Sequence, residues 1–313
     1  MRAFAVSGPG AAPAFHELDT PEPEHGEVRV RVAAASINGF DNAVANGYMG
    51  GFFEHRYPVV LGREFSGTID ALGGGVDGFA VGDRVLGVVS KPYLREGAFA
   101  EYTTAIAESG VAHTPDGMTD AAAAALAHTG SSALVTLAAL GDLAGKRLLI
   151  VGSTGGVGTL LTQIAHGLGA EVIATGRTEE GRRLMTDLGA NHAVDYADLE
   201  SSVRSIAPDG VDAAVHLIGD PAQISALVKD GGTLASLLLY APEMFPEPDR
   251  VTAAPIAGYP TGQMLRMLTG MVEQGTLRVV IDREVAFDDI AEAMAAYGHE
   301  TIGNIVVRIG DPR

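Results

Sequence analysis

Three glycines at spacing three, Gly152, Gly155 and Gly158, form the stretch of this 313-residue chain whose chemistry is easiest to read. Without side chains, such a turn lets backbone approach a pyrophosphate closely, and the N–H groups at the start of a following helix can bind it. Ser153, Thr154, Gly156 and Val157 complete the turn. That chemistry requires a strand before the turn and a helix after it. Leu148 to Val151 is a short apolar run, as expected of a parallel strand covered on both faces. Val157, Leu160, Leu161, Ile164 and Leu168 then recur at helical spacing, Gly169 is placed to stop the helix, and Glu171 to Thr175 resumes as a strand. The alternative is a glycine turn needed only for tight packing of helix on sheet, but strand, turn, helix and strand within roughly 30 residues supply the context a dinucleotide site needs.

The residues after the second strand choose the cofactor. An NAD site places a carboxylate there to accept hydrogen bonds from the ribose 2′-hydroxyl. This chain has Thr175, Gly176, Arg177 and Thr178 instead. Arg177 can form charge-assisted, bidentate bonds to a 2′-phosphate, which a carboxylate would repel, so NADP(H) is the expected cofactor. The competing reading makes Arg177 a solvated loop cation. Arg182 and Arg183 fall in the next helix and read as exposed helix residues.

Composition narrows the classes. A formal net charge of -18 argues against a nucleic-acid or anionic-membrane surface, both of which need clustered cations. There are no cysteines, which removes disulfides, thiolate nucleophiles and cysteine-ligated zinc. The first residues make a poor secretory signal, because Gly8, Pro9 and Gly10 break the apolar run. Ala121 to Leu140 is interrupted by polar residues and is too broken to span a bilayer. A cytoplasmic protein without membrane or nucleic-acid partners is expected.

Two patterns divide the chain. Up to about Tyr102 short strands and turns prevail: Glu27 to Val32 alternates apolar and charged residues, Pro58 to Ile69 reads as extended, and Gly97 to Tyr102 as one more short strand. After Thr114-Pro115-Asp116-Gly117, Thr119 or Asp120 can cap a helix over Ala121 to Ala127, and Ser131 or Ser132 a second one ending near Gly141. Helix and strand then alternate: a helix at Glu179 to Leu188, and strands at Ala193 to Asp195, Val211 to Ile218 and, after the turn Asp230-Gly231-Gly232, Thr233 to Leu238. This is the pattern of an α/β, doubly wound parallel sheet of the Rossmann type. A helix at Thr261 to Gln274, an extended Leu277 to Ile281, a helix at Asp288 to Tyr297 and a strand at Ile305 to Ile309 close the chain.

Ser36-Ile37-Asn38 with Asp41, Gly62-Arg63-Glu64-Phe65-Ser66-Gly67, Gly82-Asp83-Arg84-Val85, Gly97 to Tyr102 and Gly303 to Val307 together resemble segments of the medium-chain dehydrogenase/reductase superfamily, nearly end to end. The resemblance implies a β-rich GroES-like catalytic domain from residues 1–120 and 276–313, a Rossmann dinucleotide-binding domain over 121–275, a cofactor in the cleft between them and a homodimer. The zinc branch of that superfamily needs an early Cys, a His before the Glu of the second segment and a further ligand. Here the His position is Arg63, no Cys exists, and none of the nine histidines forms an HExxH or close pair, so no metal is expected. What remains is the zinc-free, quinone oxidoreductase-like branch. By position Asn38 and Asp41 would face the nicotinamide, Tyr48 is a candidate donor to a substrate carbonyl, and His128 a candidate proton donor; local turn bonds, a packed surface aromatic and a capping role are their structural alternatives. Ser132 matches a family Thr beside the nicotinamide, and Tyr196 a tyrosine near the adenosine phosphate. His216, in an apolar strand, reads as a core residue. The substrate pocket would be lined by Gly39 to Tyr57 and Tyr240 to Pro260.

Without a Lewis acid, alcohol oxidation needs a well-placed base, whereas reducing a conjugated electrophile needs hydride and hydrogen-bond donors for the developing oxyanion. The reading is therefore an NADPH-dependent reductase of a small-molecule electrophile, a quinone or enone. Reduction of a simple ketone or enoyl thioester on the same fold, and a non-catalytic NADPH-binding redox sensor, are the alternatives.

Overall fold

In the computed structural model the chain is described over residues 1–257, 260–298 and 301–310. It forms two compact units, one of Met1–Ser131, Tyr259–Gly275 and Val279–Arg313, the other of Ser132–Gly258 and Thr276–Arg278.

The hub of the first unit is the strand Glu27–Ile37, whose alternation buries Val28, Val30 and Val32. It pairs antiparallel with Glu64–Leu72, Tyr102–Ile106 and Asn304–Arg308 in a seven-stranded sheet, to which Arg84–Val88, Val111–His113 and Ile281–Ala286 also belong. Phe65, Phe99, Ile37 and Ile69 are fully buried at its core. The expected strand at Gly97 to Tyr102 is displaced: only Ala100 makes an isolated bridge, to Ala3, and the strand starts at Tyr102. A Cβ on Gly97 would collide with the Val60 carbonyl oxygen, and Ala98 and Phe99 donate to the carbonyls of Gly62 and Leu61. This close crossing over residues 60–62 replaces a ladder.

The alanine run also departs from expectation. It makes a short helix, Asp120–Ala124, with Ala122 N–H donating to Thr119 Oγ1 at 3.2 Å, and then a second helix, Ala127–Leu140. Ser131 and Ser132 do not cap that second helix but lie inside it, and Ser131 Oγ donates to the Ala127 carbonyl at 2.6 Å.

The second unit is a six-stranded, all-parallel sheet in the order His192–Asp195, Glu171–Gly176, Arg147–Val151, Val211–His216, Val228–Ser236, Thr252–Pro255. Chain order runs outward on one side of Arg147–Val151 and then crosses to Val211–His216 on the other. That reversal is where open parallel sheets bind ligands, at the carboxyl ends of the strands. The glycines at 231 and 232 form no separate turn but lie within the strand Val228–Ser236, where the register against its neighbour shifts. A Cβ on Gly232 would meet Val228 Cγ1 at 2.5 Å and the Asp212 carbonyl at 2.8 Å, so glycine permits this irregularity. The segment expected to extend from Leu277 joins a strand only at Ile281, because Arg278 is tied by both backbone groups to the Gln163 side chain, at 2.8 and 2.9 Å. Among the described residues no helix is long and apolar enough to cross a membrane.

Candidate functional site

In the first unit a cluster of buried polar side chains gathers around Glu64. Asn38 follows the hub strand, which ends at Ile37, and is the N-cap residue of the helix Gly39–Ala45. Asp41 in that helix is 1% exposed, and its Oδ2 accepts the Asn38 N–H at 2.8 Å while Oδ1 accepts the Gly62 N–H at 3.2 Å. Burial, with the nearby Glu64 charge adding to it, pushes the Asp41 carboxyl up to about 7.

Glu64 opens its strand opposite Ser36 and is wholly buried. Its Oε1 accepts from Asn38 Nδ2 at 3.0 Å and from Thr129 Oγ1 at 2.8 Å; its Oε2 accepts the backbone N–H groups of His128 at 2.7 Å and Thr129 at 3.3 Å. A carboxylate from a strand thus caps the helix Ala127–Leu140, satisfying orphan donors where the helix dipole favours negative charge. Burial raises the Glu64 carboxyl above its ordinary range, against the pull of these hydrogen bonds. The cap explains why neither serine is needed to start the helix. The backbone of His128 takes part in it; the imidazole does not.

Arg63, beside Glu64, is also buried, its guanidinium carbon 4.5 Å from the Phe40 ring centroid and 5.9 Å from that of Phe53. The His128 ring lies edge-on to the same Phe40 ring, with centroids 6.3 Å apart. Burial, then the Arg63 charge, holds the His128 imidazole far below its ordinary value, at about 3. The ring is only partly covered, but a fraction of that shift suffices to keep it neutral near pH 7. Tyr48 lies outside this hydrogen-bonded cluster, 72% exposed. Tyr297, unmarked in the sequence, stands against Gly39, with its hydroxyl raised by burial and then by the Asp41 charge.

The donor set does not fit zinc. Asn38 is an amide, Arg63 a cation, and the carboxylate oxygens of Glu64 and Asp41 already accept hydrogen bonds, which leaves His128 as the one ligand type of the cluster not so engaged; among the described residues no three His, Asp or Glu side chains are placed to hold a metal ion.

In the second unit the glycine turn follows the strand Arg147–Val151 and leads into the helix Gly156–Gly167, with Gly155 as its N-cap. Gly152 has φ +95°, a conformation glycine favours. A Cβ on Gly158 would collide with Ser153 Cα and lie 2.5 Å from the Gly152 carbonyl oxygen, so only glycine allows the helix to pack this closely on the turn. Ser153 Oγ donates to the Thr175 carbonyl at 2.6 Å, and Thr175 Oγ1 accepts the Gly152 N–H at 3.0 Å. These two side chains therefore fasten the turn to the next strand. Thr154, Gly156 and Val157 lie along the turn and the first helical residues, partly exposed, and Ser132 lies within the helix Ala127–Leu140.

Gly176 packs under the helix Glu179–Asp187, since a Cβ there would lie 2.9 Å from Arg182 N. Arg177, next in the chain, is exposed, and its guanidinium carbon lies 5.4 Å from the ring centroid of Tyr196. Arg182 is half-buried and paired with Asp195 at 2.9 Å, whereas Arg183 is exposed and pairs with Glu179. His216 is buried, as expected, and more is built on it than the sequence signals. Ser236 Oγ accepts the N–H groups of Leu238 and Leu239, both at 3.0 Å, so its proton goes to His216 Nδ1 at 2.9 Å, and Nε2–H donates to the Gly219 carbonyl at 3.2 Å. This chain fixes two loops at the carboxyl edge of the sheet, one of which brings Gly219 against the Tyr196 hydroxyl. Of the segment Tyr240 to Pro260, Gly258 and Tyr259 lie outside the described residues.

The cradle fits a dinucleotide: a glycine, Gly158, whose Cβ position is filled by backbone, a glycine at positive φ, Gly152, a helix N-terminus and, in Arg177, a cation where an NAD site has a carboxylate. Residues 24–116 match the family model for the alcohol dehydrogenase GroES-like domain, and residues 156–251 that for zinc-binding dehydrogenase. The chain is 29% identical to 2-methylene-furan-3-one reductase of Solanum lycopersicum over 282 residues, 88% of this chain and 69% of that one. It is 35% identical over 217 residues, 68% of its length, to a mycocerosic acid synthase-like polyketide synthase of Mycobacterium tuberculosis, of which it spans only 10%. Among solved structures, the quinone oxidoreductase from Coxiella burnetii superposes with a TM-score of 0.85 at 26% identity over 99% of both chains. Mycobacterial Rv1454c complexed with NADPH superposes with a TM-score of 0.82 at 27% identity, covering 99% of this chain and 100% of that one. Motifs, sheet topology and matches agree: the chain belongs to the medium-chain dehydrogenase/reductase superfamily of oxidoreductases, in its quinone oxidoreductase-like branch.

Proposed function

We propose that this protein is an NADPH-dependent reductase that works without a metal on a quinone or another α,β-unsaturated carbonyl. The observation that carries the reading is the character of the cluster around Glu64: a buried cation, Arg63, stands at the position where the zinc branch of the superfamily has a histidine ligand. Bound NADPH would supply two electrons and a hydrogen as hydride. Reduction of a conjugated carbonyl moves negative charge to its oxygen, and a guanidinium and a neutral imidazole N–H are both donors suited to that charge. Alcohol oxidation would instead ask for a base. His128, at about 3, is too weak a base for that task, and both Asp41 oxygens already accept backbone N–H groups.

The glycine cradle would hold the pyrophosphate, and Arg177 beside Tyr196 the 2′-phosphate. The names of two similar proteins support this reading, one a reductase of a methylene-furanone, a conjugated ketone, and one a structure complexed with NADPH. The test follows reduced-nicotinamide absorbance with NADPH and NADH against an aromatic quinone and a simple enal. Fast oxidation of NADPH by either acceptor is expected; silence with both, while NADPH binds, would favour a non-catalytic NADPH-binding protein. Arg177→Ala should weaken NADPH about tenfold or more, from the loss of a charge-assisted bond, and leave NADH nearly unchanged. Equal loss for both would remove Arg177 from the 2′-phosphate site.

A further inference from the structure

We propose that His216 is a positioning residue for cofactor choice, holding the Gly219 carbonyl so that Tyr196 and, through it, Arg177 keep the place at which a 2′-phosphate is bound. The inference rests on the reading of Arg177 given above and adds a residue buried in the sheet on which the preference for NADPH depends. All the residues involved belong to the second unit.

His216 ends the strand Val211–His216, is 2% exposed, and has both ring nitrogens engaged. Nδ1 takes the proton of Ser236 Oγ at 2.9 Å, and Nε2–H donates to the Gly219 carbonyl at 3.2 Å. Because Ser236 Oγ also accepts two backbone N–H groups, the ring is held in one tautomer, with its donor aimed at Gly219. Burial keeps the imidazole below its ordinary value, against the pull of the Gly219 hydrogen bond and the Asp220 charge, so the neutral ring persists near pH 7.

The loop after this strand is fastened differently at its two ends. At its start, Leu217 N–H donates to the Val151 carbonyl at 3.0 Å, and a Cβ on Gly152 would lie 3.0 Å from both Leu217 Cβ and Ile218 Cγ2. Backbone and apolar contact thus pack this end on the glycine turn without the imidazole. At the far end Gly219 has φ +96°, and a Cβ there would collide with the Tyr196 hydroxyl. The Tyr196 ring centroid in turn lies 5.4 Å from the guanidinium carbon of Arg177, which is exposed and so open to a ligand. A displaced Gly219 therefore disturbs the tyrosine and the cation, at the 2′-phosphate end, and leaves the pyrophosphate end in place.

The test measures NADPH and NADH Kd by calorimetry for wild type, His216→Asn and His216→Gln, each alone and combined with Arg177→Ala. An Asn amide reaches as far as Nδ1, keeping the link to Ser236 and losing that to Gly219, whereas a Gln amide reaches as far as Nε2 and can donate to the Gly219 carbonyl. His216→Asn should raise the NADPH Kd about three- to tenfold and leave NADH within about twofold, the scale of coupling between residues in contact. His216→Gln should retain most of the preference for NADPH, and the Asn effect should vanish beside Arg177→Ala, since residues that act through one another do not add. An unchanged NADPH Kd in His216→Asn overturns the proposal. So do equal losses for both cofactors, a selective loss as large in His216→Gln, and a selective loss that persists in full beside Arg177→Ala. If His216→Asn does not fold, Gly219→Ala takes its place, because its methyl meets the tip of the Tyr196 side chain, which can give way. The same NADPH-selective loss, absent beside Arg177→Ala, is then expected, and equal loss for both cofactors overturns the proposal. If Arg177→Ala alone does not discriminate between the cofactors, the 2′-phosphate reading fails, and this inference with it. A selective Arg177→Ala beside an indifferent His216→Asn defeats this inference alone.

Discussion

Replacing Asp41 by Asn should change how stability depends on pH, and the direction follows from two buried groups that oppose each other. In the folded protein the Asp41 carboxyl titrates at about 7 against an ordinary 3.8, a difference of about three pH steps. At about 1.4 kcal/mol per step, this group contributes up to about 4 kcal/mol that is present below pH ~4 and lost as pH rises to ~7, because the native state binds its proton more tightly than the unfolded chain does. His128 acts the other way. Its imidazole, at about 3 against an ordinary 6.5, is protonated first in the unfolded chain, so its contribution grows as pH rises through that window. Its weight is the smaller of the two, since the ring keeps some contact with solvent. Asp41→Asn removes the falling contribution, so its stability should rise with pH relative to wild type, whereas that of His128→Asn should fall relative to it; Glu64, also raised by burial, slopes in the sense of Asp41 in all three proteins. The amide introduced by Asp41→Asn would also face a backbone N–H of Asn38 or Gly62, lowering stability by about 1–3 kcal/mol at every pH. Urea unfolding at about pH 4.5, 5.5 and 6.5, extrapolated to water, reads both effects. If Asp41→Asn and wild type give parallel pH curves, Asp41 is not the perturbed group and the burial argument fails.

Other outcomes are as specific. Gly158→Ala places a methyl against backbone atoms of Gly152 and Ser153 that no rotamer change can move, so it should cost about 1–3 kcal/mol in unfolding experiments and at least tenfold in NADPH affinity. Gly155→Ala, whose nearest atom would be 3.6 Å away, should leave stability within about 0.5 kcal/mol; equal damage from both would mean that the cradle is not set by backbone contact. Ser236→Ala removes the oxygen shared by Leu238, Leu239 and His216, with an expected loss of about 2–3 kcal/mol by denaturation and a weakened NADPH affinity; an unchanged protein would show that the two loops hold themselves. Treatment with a strong chelator should leave NADPH oxidation unchanged, and its loss would contradict the donor chemistry of Asn38, Arg63 and Glu64.

Local features were readable from the sequence. The turn Gly152 to Gly158 declares itself because strand, glycines and helix adjoin in the chain, and the step from one side of the parallel sheet to the other follows from alternating strands and helices. What the sequence conceals is long-range. The helix Ala127–Leu140 starts without a local cap because Glu64, more than sixty residues earlier, supplies one, so reading the nearby serines as caps misplaces its start. Gly97 is unremarkable as a letter, yet the crossing over Val60 that it permits moves the next strand to Tyr102. Arg63 reads in sequence only as a residue unable to bind zinc; its place over Phe40, beside His128, is a tertiary fact. Ser236 carries no sequence signal, because its role depends on His216 in the adjacent strand.

The central claim is that a conjugated carbonyl accepts hydride from NADPH on this protein. Its most direct test uses NADPH deuterated at the transferred position of the nicotinamide, with a simple enal as acceptor, and locates the label in the product by NMR. Deuterium at the β-carbon of a saturated aldehyde is the predicted result. Deuterium on the carbonyl carbon of an allylic alcohol, or no transfer from NADPH that is demonstrably bound, would contradict it.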